Sequence, residues 1–231
     1  MREDMIYNPH LYQIRPFQLE RMLAIAHARK DARAGGVVFY GDSLTEFYPV
    51  ARCFAALAAN GGPGVYNAGI GGATTEELLW YVDEAVIKYR PRAVVLMAGT
   101  NDLGRTMQGT AEAAAENLCR LVDVIVGNLP ACRVLVWSPL PCREEIDGAA
   151  AKPGVVRTNA LLREIFARAQ EEIVDGRVAF ADAYPALLDT AGSPLASLYR
   201  PGDGLHINDA GYDRVTAVLE PKLRALLAAA D

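Results

Sequence analysis

Serine and histidine are scarce in this 231-residue chain: the serines are Ser43, Ser138, Ser193 and Ser197, and the histidines His10, His27 and His206. A serine nucleophile needs a base, usually an imidazole, and the base needs an orienting carboxylate. So few residues leave few combinations. Cys53, Cys119, Cys132 and Cys142 form no CxxC pair, and the chain is too long to need stapling. They read as free thiols in a reducing cytoplasm, and with so few histidines no metal-ligand spacing exists. No apolar run reaches the ~18 residues of a membrane span. Met1-Arg2-Glu3-Asp4 has no basic flank leading into an apolar stretch, so no secretory signal is read there. Clustered basic residues are also missing. With a net charge of −5, nucleic acid is excluded as a main partner.

What remains is an ordinary globular composition, 52% hydrophobic and 22% charged, which excludes a disordered chain. Short apolar runs at Val37–Tyr40, Val65–Asn67, Ala93–Ala98, Val134–Ser138 and Val178–Ala181 read as parallel strands covered on both faces. Between them the helical pattern runs over Thr75–Tyr89, Thr110–Gly127, Val156–Val174 and Asp209 to about Ala229. Thr74 and Glu77 suit a capping box, and Pro221 should kink or interrupt the last helix. Strand and helix alternating in this way predict a three-layer α/β/α sandwich with right-handed crossovers. Residues 1–35 form an N-terminal extension ahead of a single domain, 36–231. In the extension Phe17, Leu19, Met22, Leu23 and Ala26 recur at near-helical spacing. A helix there packs on the body of the fold or on a second subunit, which leaves a homodimer open. Two loops, Pro139–Gly154 and Asp189–Leu205, are longer than connection needs and either frame a cleft or simply cross the surface.

Ser43 lies in Tyr40-Gly41-Asp42-Ser43-Leu44-Thr45, just after the first strand. A tight strand-to-helix turn would expose its hydroxyl; the competing use is a helix N-cap. Ser138 ends the fourth strand but has no such turn. His206, in Asp203-Gly204-Leu205-His206, precedes the final helix. The Asp203 carboxylate could accept from the ring Nδ1–H and leave Nε2 free to take a proton, or both could be plain turn residues. His10 and His27 read as surface residues. Asn67-Ala68-Gly69-Ile70-Gly71-Gly72-Ala73-Thr74 and Gly99-Thr100-Asn101-Asp102 follow the second and third strands. A glycine turn and an Asn amide supply the donors an oxyanion hole requires, or merely shape turns. Neither contains a phosphate-loop signature. All four segments fall at the carboxyl edge of the sheet, where α/β folds place their sites.

The ordered blocks Gly41-Asp42-Ser43-Leu44, Gly72 in its Gly-Gly-x-Thr turn, Gly99-Thr100-Asn101-Asp102 and Asp203-x-x-His206 resemble the SGNH (GDSL) hydrolase family. The match spans Val37 to Tyr212. Its flanking residues look most like bacterial acylhydrolases related to platelet-activating-factor acetylhydrolase. The resemblance implies a flavodoxin-like fold with a five-stranded parallel sheet, and a serine esterase working through an acyl-enzyme on small, acetyl-type esters. Ser43, Asp203 and His206 would be catalytic, with Ser43, Gly72 and Asn101 forming the oxyanion hole. No metal or other cofactor is implied. Longer acyl chains, as in a lysophospholipase or thioesterase, remain an alternative; so does a non-catalytic binding module.

Overall fold

All five expected strands form in the computed structural model, which describes residues 15–104 and 109–229. They are β1 (Val37–Gly41), β2 (Val65–Gly69), β3 (Ala93–Met97), β4 (Arg133–Trp137) and β5 (Val178–Ala181). All neighbours pair parallel, in the order β2-β1-β3-β4-β5. Parallel strands need crossovers, and the helices that supply them cover both faces. That is why the strands are apolar at successive positions instead of alternate ones. Val38, Tyr40, Val94, Leu96, Val134 and Val136 point into one core; Val37, Phe39, Val95, Met97, Leu135 and Trp137 point into the other.

The first core is roofed by α1 (Pro16–Ala28), α5 (Thr75–Ala85), α6 (Ala111–Asn128) and α8 (Asn159–Glu172). Leu118, Leu121, Val122 and Ile125 of α6 are buried, each contributing roughly 1.5–3 kcal/mol relative to exposure. The second core is roofed by the short helices α2 (Ser43–Glu46), α3 (Val50–Cys53) and α4 (Ala55–Ala58), and by α9 (Asp209–Ala228). A further short helix, α7 (Glu144–Asp147), lies in the loop after β4.

Three expectations are corrected. First, Pro221 does not interrupt α9, which continues as helix to Ala228. Val215, Leu219, Leu223, Leu226 and Leu227 bury on both sides of the proline, and that packing offsets the ~3 kcal/mol cost of a proline inside a helix. Second, the helix expected over Val156–Val174 begins only at Asn159, where the Thr158 hydroxyl caps it. Val156 instead donates its N–H to the Leu103 carbonyl. Third, α1 forms where apolar spacing placed a helix, but a different face turns inward. Gln18 and Ile25 are buried, and Met22 and Ala26 are half-buried, Met22 against the first core, whereas Phe17, Leu19 and Leu23 are half exposed or more. The part of the extension before Arg15, with His10, lies outside the described residues.

The register carries all of this to the site. Gly41 pairs with Gly69 on one side and Met97 on the other, so β1, β2 and β3 end level. The crevice between β1 and β3, where the strand order reverses, receives the segments that follow them. That crevice is the usual position of a ligand site in an open parallel sheet.

Candidate active site

A tight turn leads out of β1. A Cβ on Gly41 would stand 2.2 Å from the Met97 carbonyl oxygen and 2.5 Å from Thr45 Oγ1, so only glycine lets β1 turn this close to β3. Asp42 then caps α2, its Oδ1 accepting from the Leu44 N–H at 2.9 Å. Ser43 is therefore the first residue of the helix and not its cap. Its hydroxyl is left for another partner, and Ser43 Oγ lies 2.9 Å from His206 Nε2.

The turn ahead of α9 is closed by Asp203. Its Oδ2 meets His206 Nδ1 at 2.7 Å, while Oδ1 accepts the N–H groups of Leu205 at 2.8 Å and His206 at 2.9 Å. Burial pushes the Asp203 carboxyl up, but the two backbone donors and the His206 ring outweigh it and hold the group below its ordinary range. An ionised carboxylate in this place makes Nδ1 the donor and leaves Nε2 to face Ser43. Phe47 stands edge-on to His206 at 5.3 Å between ring centres, and the Arg200 guanidinium lies 4.2 Å over the Phe47 ring. The loop after β4 backs this turn: Arg143 N–H donates to the Gly204 carbonyl at 2.7 Å.

Between β2 and α5 the chain makes the glycine turn. Gly69 N–H donates to Asn67 Oδ1, Ile70 N–H to the Gly41 carbonyl, Gly71 N–H to Glu46 Oε2, Ala73 N–H to the Ile70 carbonyl and Thr74 N–H to Glu77 Oε2. The capping box of Thr74 and Glu77 is complete. Gly72 N–H alone in this run makes no hydrogen bond among the described residues. Asn101, on the loop after β3, adjoins it: Nδ2 donates to the Ala73 carbonyl at 3.0 Å, which uses one of its two amide hydrogens. The buried Asp102 carboxylate next to it takes the Thr75 hydroxyl at 2.5 Å and the Thr75 N–H at 3.1 Å, tying this loop to the start of α5.

The fold thus brings Ser43, Asp203 and His206 into one hydrogen-bonded series, and sets Gly72 and Asn101 side by side. Ser138 is elsewhere. It is fully buried, and its Oγ accepts the N–H groups of Ala183 and Tyr184, both at 2.9 Å. His27 is exposed on α1. Glu46 and Arg157 also support the site, with little in the sequence to mark them. Glu46 holds Gly71 N–H at 2.5 Å, and nothing in its surroundings along the chain marks it. Arg157 is buried and donates to the Thr100 carbonyl at 2.9 Å and to the Asp147 carboxylate at 3.2 Å, joining the β3 loop to the β4 loop. Its one mark in the sequence is a lone charge with no acidic residue within four positions, just ahead of a helix.

A hydroxyl, an imidazole and a carboxylate in series at the switch point of a parallel sheet, beside unpaired donors, belong to the class of carboxylic ester hydrolases. The chain is a member of the GDSL-like lipase/acylhydrolase family, whose profile matches residues 39–214. It is 30% identical over 192 residues to subunit alpha1 of platelet-activating factor acetylhydrolase IB from Bos taurus, covering 83% of this chain and 76% of that one. To the alpha2 subunit from Homo sapiens it is 27% identical over 197 residues, covering 83% and 77%. Among solved structures, a Streptococcus pneumonia protein provisionally described as a platelet activating factor superposes with a TM-score of 0.75 at 26% identity, covering 90% of this chain and 92% of that one. The lipase/acylhydrolase from Enterococcus faecalis shares the fold, with a TM-score of 0.66 at 24% identity and coverage of 83% and 96%.

Proposed function

We propose that the protein hydrolyses small O-acyl esters, acetyl esters above all, through a covalent acyl-enzyme on Ser43. The observation that carries this reading is the series Ser43 Oγ, His206 Nε2, His206 Nδ1, Asp203 Oδ2, with contacts of 2.9 and 2.7 Å. Ser43 Oγ attacks the ester carbonyl as His206 Nε2 takes its proton, and Asp203 stabilises the imidazolium. The carbonyl oxygen becomes an oxyanion. Gly72 N–H, the second amide hydrogen of Asn101 and the N–H of Ser43 receive it, the last being free because the first donors of a helix have no intrahelical acceptor. His206 then protonates the leaving alcohol. Water, activated by the same imidazole, attacks the acyl group and releases the acid.

Two things support a short acyl group. The Bos taurus and Homo sapiens relatives named above are platelet-activating factor acetylhydrolase subunits, and the β4 loop beside the Asp203–His206 turn carries Arg143, Glu144 and Glu145, which offer little to a fatty chain. Turnover of p-nitrophenyl esters from acetyl to palmitoyl, together with acetylated sugars, tests the reading. Acetyl to butyryl esters are expected to be the fastest, and Ser43→Ala to be inactive on all of them. Palmitoyl turnover faster than acetyl would reject the short-chain assignment; an active Ser43→Ala would reject the nucleophile.

A further inference from the structure

Three carbonyl groups of the glycine turn, those of Gly69, Gly71 and Gly72, are held from α1 and the residue that leads into it. Arg21 Nε donates to the Gly69 carbonyl at 2.7 Å, Gln18 Nε2 to the Gly71 carbonyl at 3.2 Å, and Arg15 Nη2 to the Gly72 carbonyl at 2.8 Å. Positions 15, 18, 21 and 25 share one face of a helix and of the residue leading into it, so the donors and the buried Ile25 point inward together. Each donor is itself secured. Arg15 also pairs with Glu77 at 2.8 Å, the carboxylate that caps α5; Arg21 reaches the Asn67 side chain at 3.1 Å; Gln18 is fully buried. Gln18 Nε2 has the Gly71 carbonyl as its partner, whereas the buried Oε1 has none among the described residues, so the Gly71 contact is the one hydrogen bond that holds this amide in place.

Peptide geometry turns this grip into an aim. In a trans peptide the C=O of one residue and the N–H of the next point in opposite directions across a rigid plane. Holding the Gly71 carbonyl therefore sets the direction of Gly72 N–H. Holding the Gly72 carbonyl fixes the plane that follows. Gly72 sits at φ +66°, in the region only glycine enters freely, and its Cα has no side chain to anchor it. Left to itself, this residue is the softest point of the turn.

We propose that α1 is a positioning element of the ester hydrolase site: Gln18 aims the Gly72 N–H at the oxyanion, and Arg15 and Arg21 lock the neighbouring peptide planes. This rests on the reading of Gly72 as an oxyanion donor. Gln18, Arg15 and Arg21 touch no reacting atom. Their effect passes through Gly72 and is felt in the transition state, where charge arrives on the carbonyl oxygen.

The test compares Gln18→Leu, Arg15→Ala, Arg15→Lys and, on the outward face of α1, Glu20→Ala in the full chain. Four quantities are read: kcat and KM for p-nitrophenyl acetate, Ki for a trifluoromethyl ketone that forms an oxyanion on Ser43, and Tm. Gln18→Leu and Arg15→Ala are expected to lower kcat by ~10- to 100-fold, the range in which small misplacements of catalytic groups act, with KM nearly unchanged. Ketone affinity should fall by the same factor. Arg15→Lys should recover most of the loss, and Glu20→Ala should match the wild type. Normal kcat and ketone affinity, with only a lower Tm, would overturn the proposal. If Gln18→Leu fails to fold, Arg15→Ala decides alone, since the Arg15 side chain is 34% exposed. An active Ser43→Ala would overturn the site reading and this proposal together, whereas an inactive Ser43→Ala beside a fully active Arg15→Ala overturns this proposal only.

Discussion

Asp203 holds His206 at two points: one carboxylate oxygen meets ring Nδ1 at 2.7 Å, and the other accepts the backbone N–H of the same residue at 2.9 Å. The backbone contact sets where the ring starts; the ring contact sets how it turns and which nitrogen carries hydrogen. Asp203→Asn keeps an oxygen for the backbone but can place an N–H donor against Nδ1, which favours the wrong tautomer. We expect kcat to fall by up to ~10⁴-fold while Tm changes little. Near-normal turnover would mean that another group orients His206.

Ser43 and Ser138 should separate cleanly. An organophosphonate is expected to label Ser43 alone, because Ser138 Oγ is buried and already accepts two backbone N–H groups. Ser138→Ala leaves the buried Ala183 N–H without its partner, at ~1–3 kcal/mol, while the Tyr184 N–H keeps Asp182 Oδ1 at 3.2 Å. A fall in Tm with unchanged kcat in the folded enzyme is the expected outcome. Label on Ser138, or loss of kcat with an unchanged Tm, would contradict the geometry.

The elements that could be read from the sequence are those whose signals are local. Five apolar runs became five strands; Thr74 and Glu77 three residues apart became a capping box; four short blocks placed Ser43, Gly72, Asn101 and His206 at one edge. The inward face of α1 could not be read that way. Apolar periodicity points to Phe17, Leu19, Met22, Leu23 and Ala26, of which Met22 reaches the core, but much of what α1 meets is a row of backbone carbonyls, which reward Arg15, Gln18 and Arg21. A carbonyl leaves no trace in composition. Arg157 was hidden for a related reason, since its partners, Thr100 and Asp147, lie 57 and 10 residues away. Pro221 misled because the local rule omits the leucines that bury on both sides of it.

The pH dependence of stability should carry the mark of Asp42. Burial pushes its carboxyl up to about 7, against the lowering influence of the Leu44 N–H and the Arg157 guanidinium. In the open chain the group titrates near ~3.9. Between those values the folded protein keeps a proton that the unfolded chain has released, so stability falls as pH rises through that window and levels off above it. Asp42→Asn keeps an acceptor for Leu44 and has no proton to lose. Its Tm relative to wild type is expected to climb from about pH 4 to about pH 7. A difference that stays constant across melts in that range would mean that the buried carboxyl ionises as freely as in the open chain.

Asn101 tests the oxyanion assignment most directly, because its amide has two hydrogens and the structure accounts for one. That hydrogen goes to the Ala73 carbonyl at 3.0 Å, holding the turn that carries Gly72. The other is the donor assigned to the oxyanion. The two roles separate in kinetics and in melting. Losing an oxyanion donor costs ~10²–10³ in kcat with little change in KM, since the full negative charge exists only near the transition state. Losing a hydrogen bond to one carbonyl costs only ~1 kcal/mol of stability. Asn101→Ala is therefore expected to show a large fall in kcat, a nearly constant KM and a small fall in Tm. If Asn101 only shapes the loop, the balance reverses: the variant melts early, yet the fraction that remains folded turns over at close to the normal rate. Active-site titration of that fraction decides between the two, and normal turnover per titrated site would remove Asn101 from the oxyanion hole.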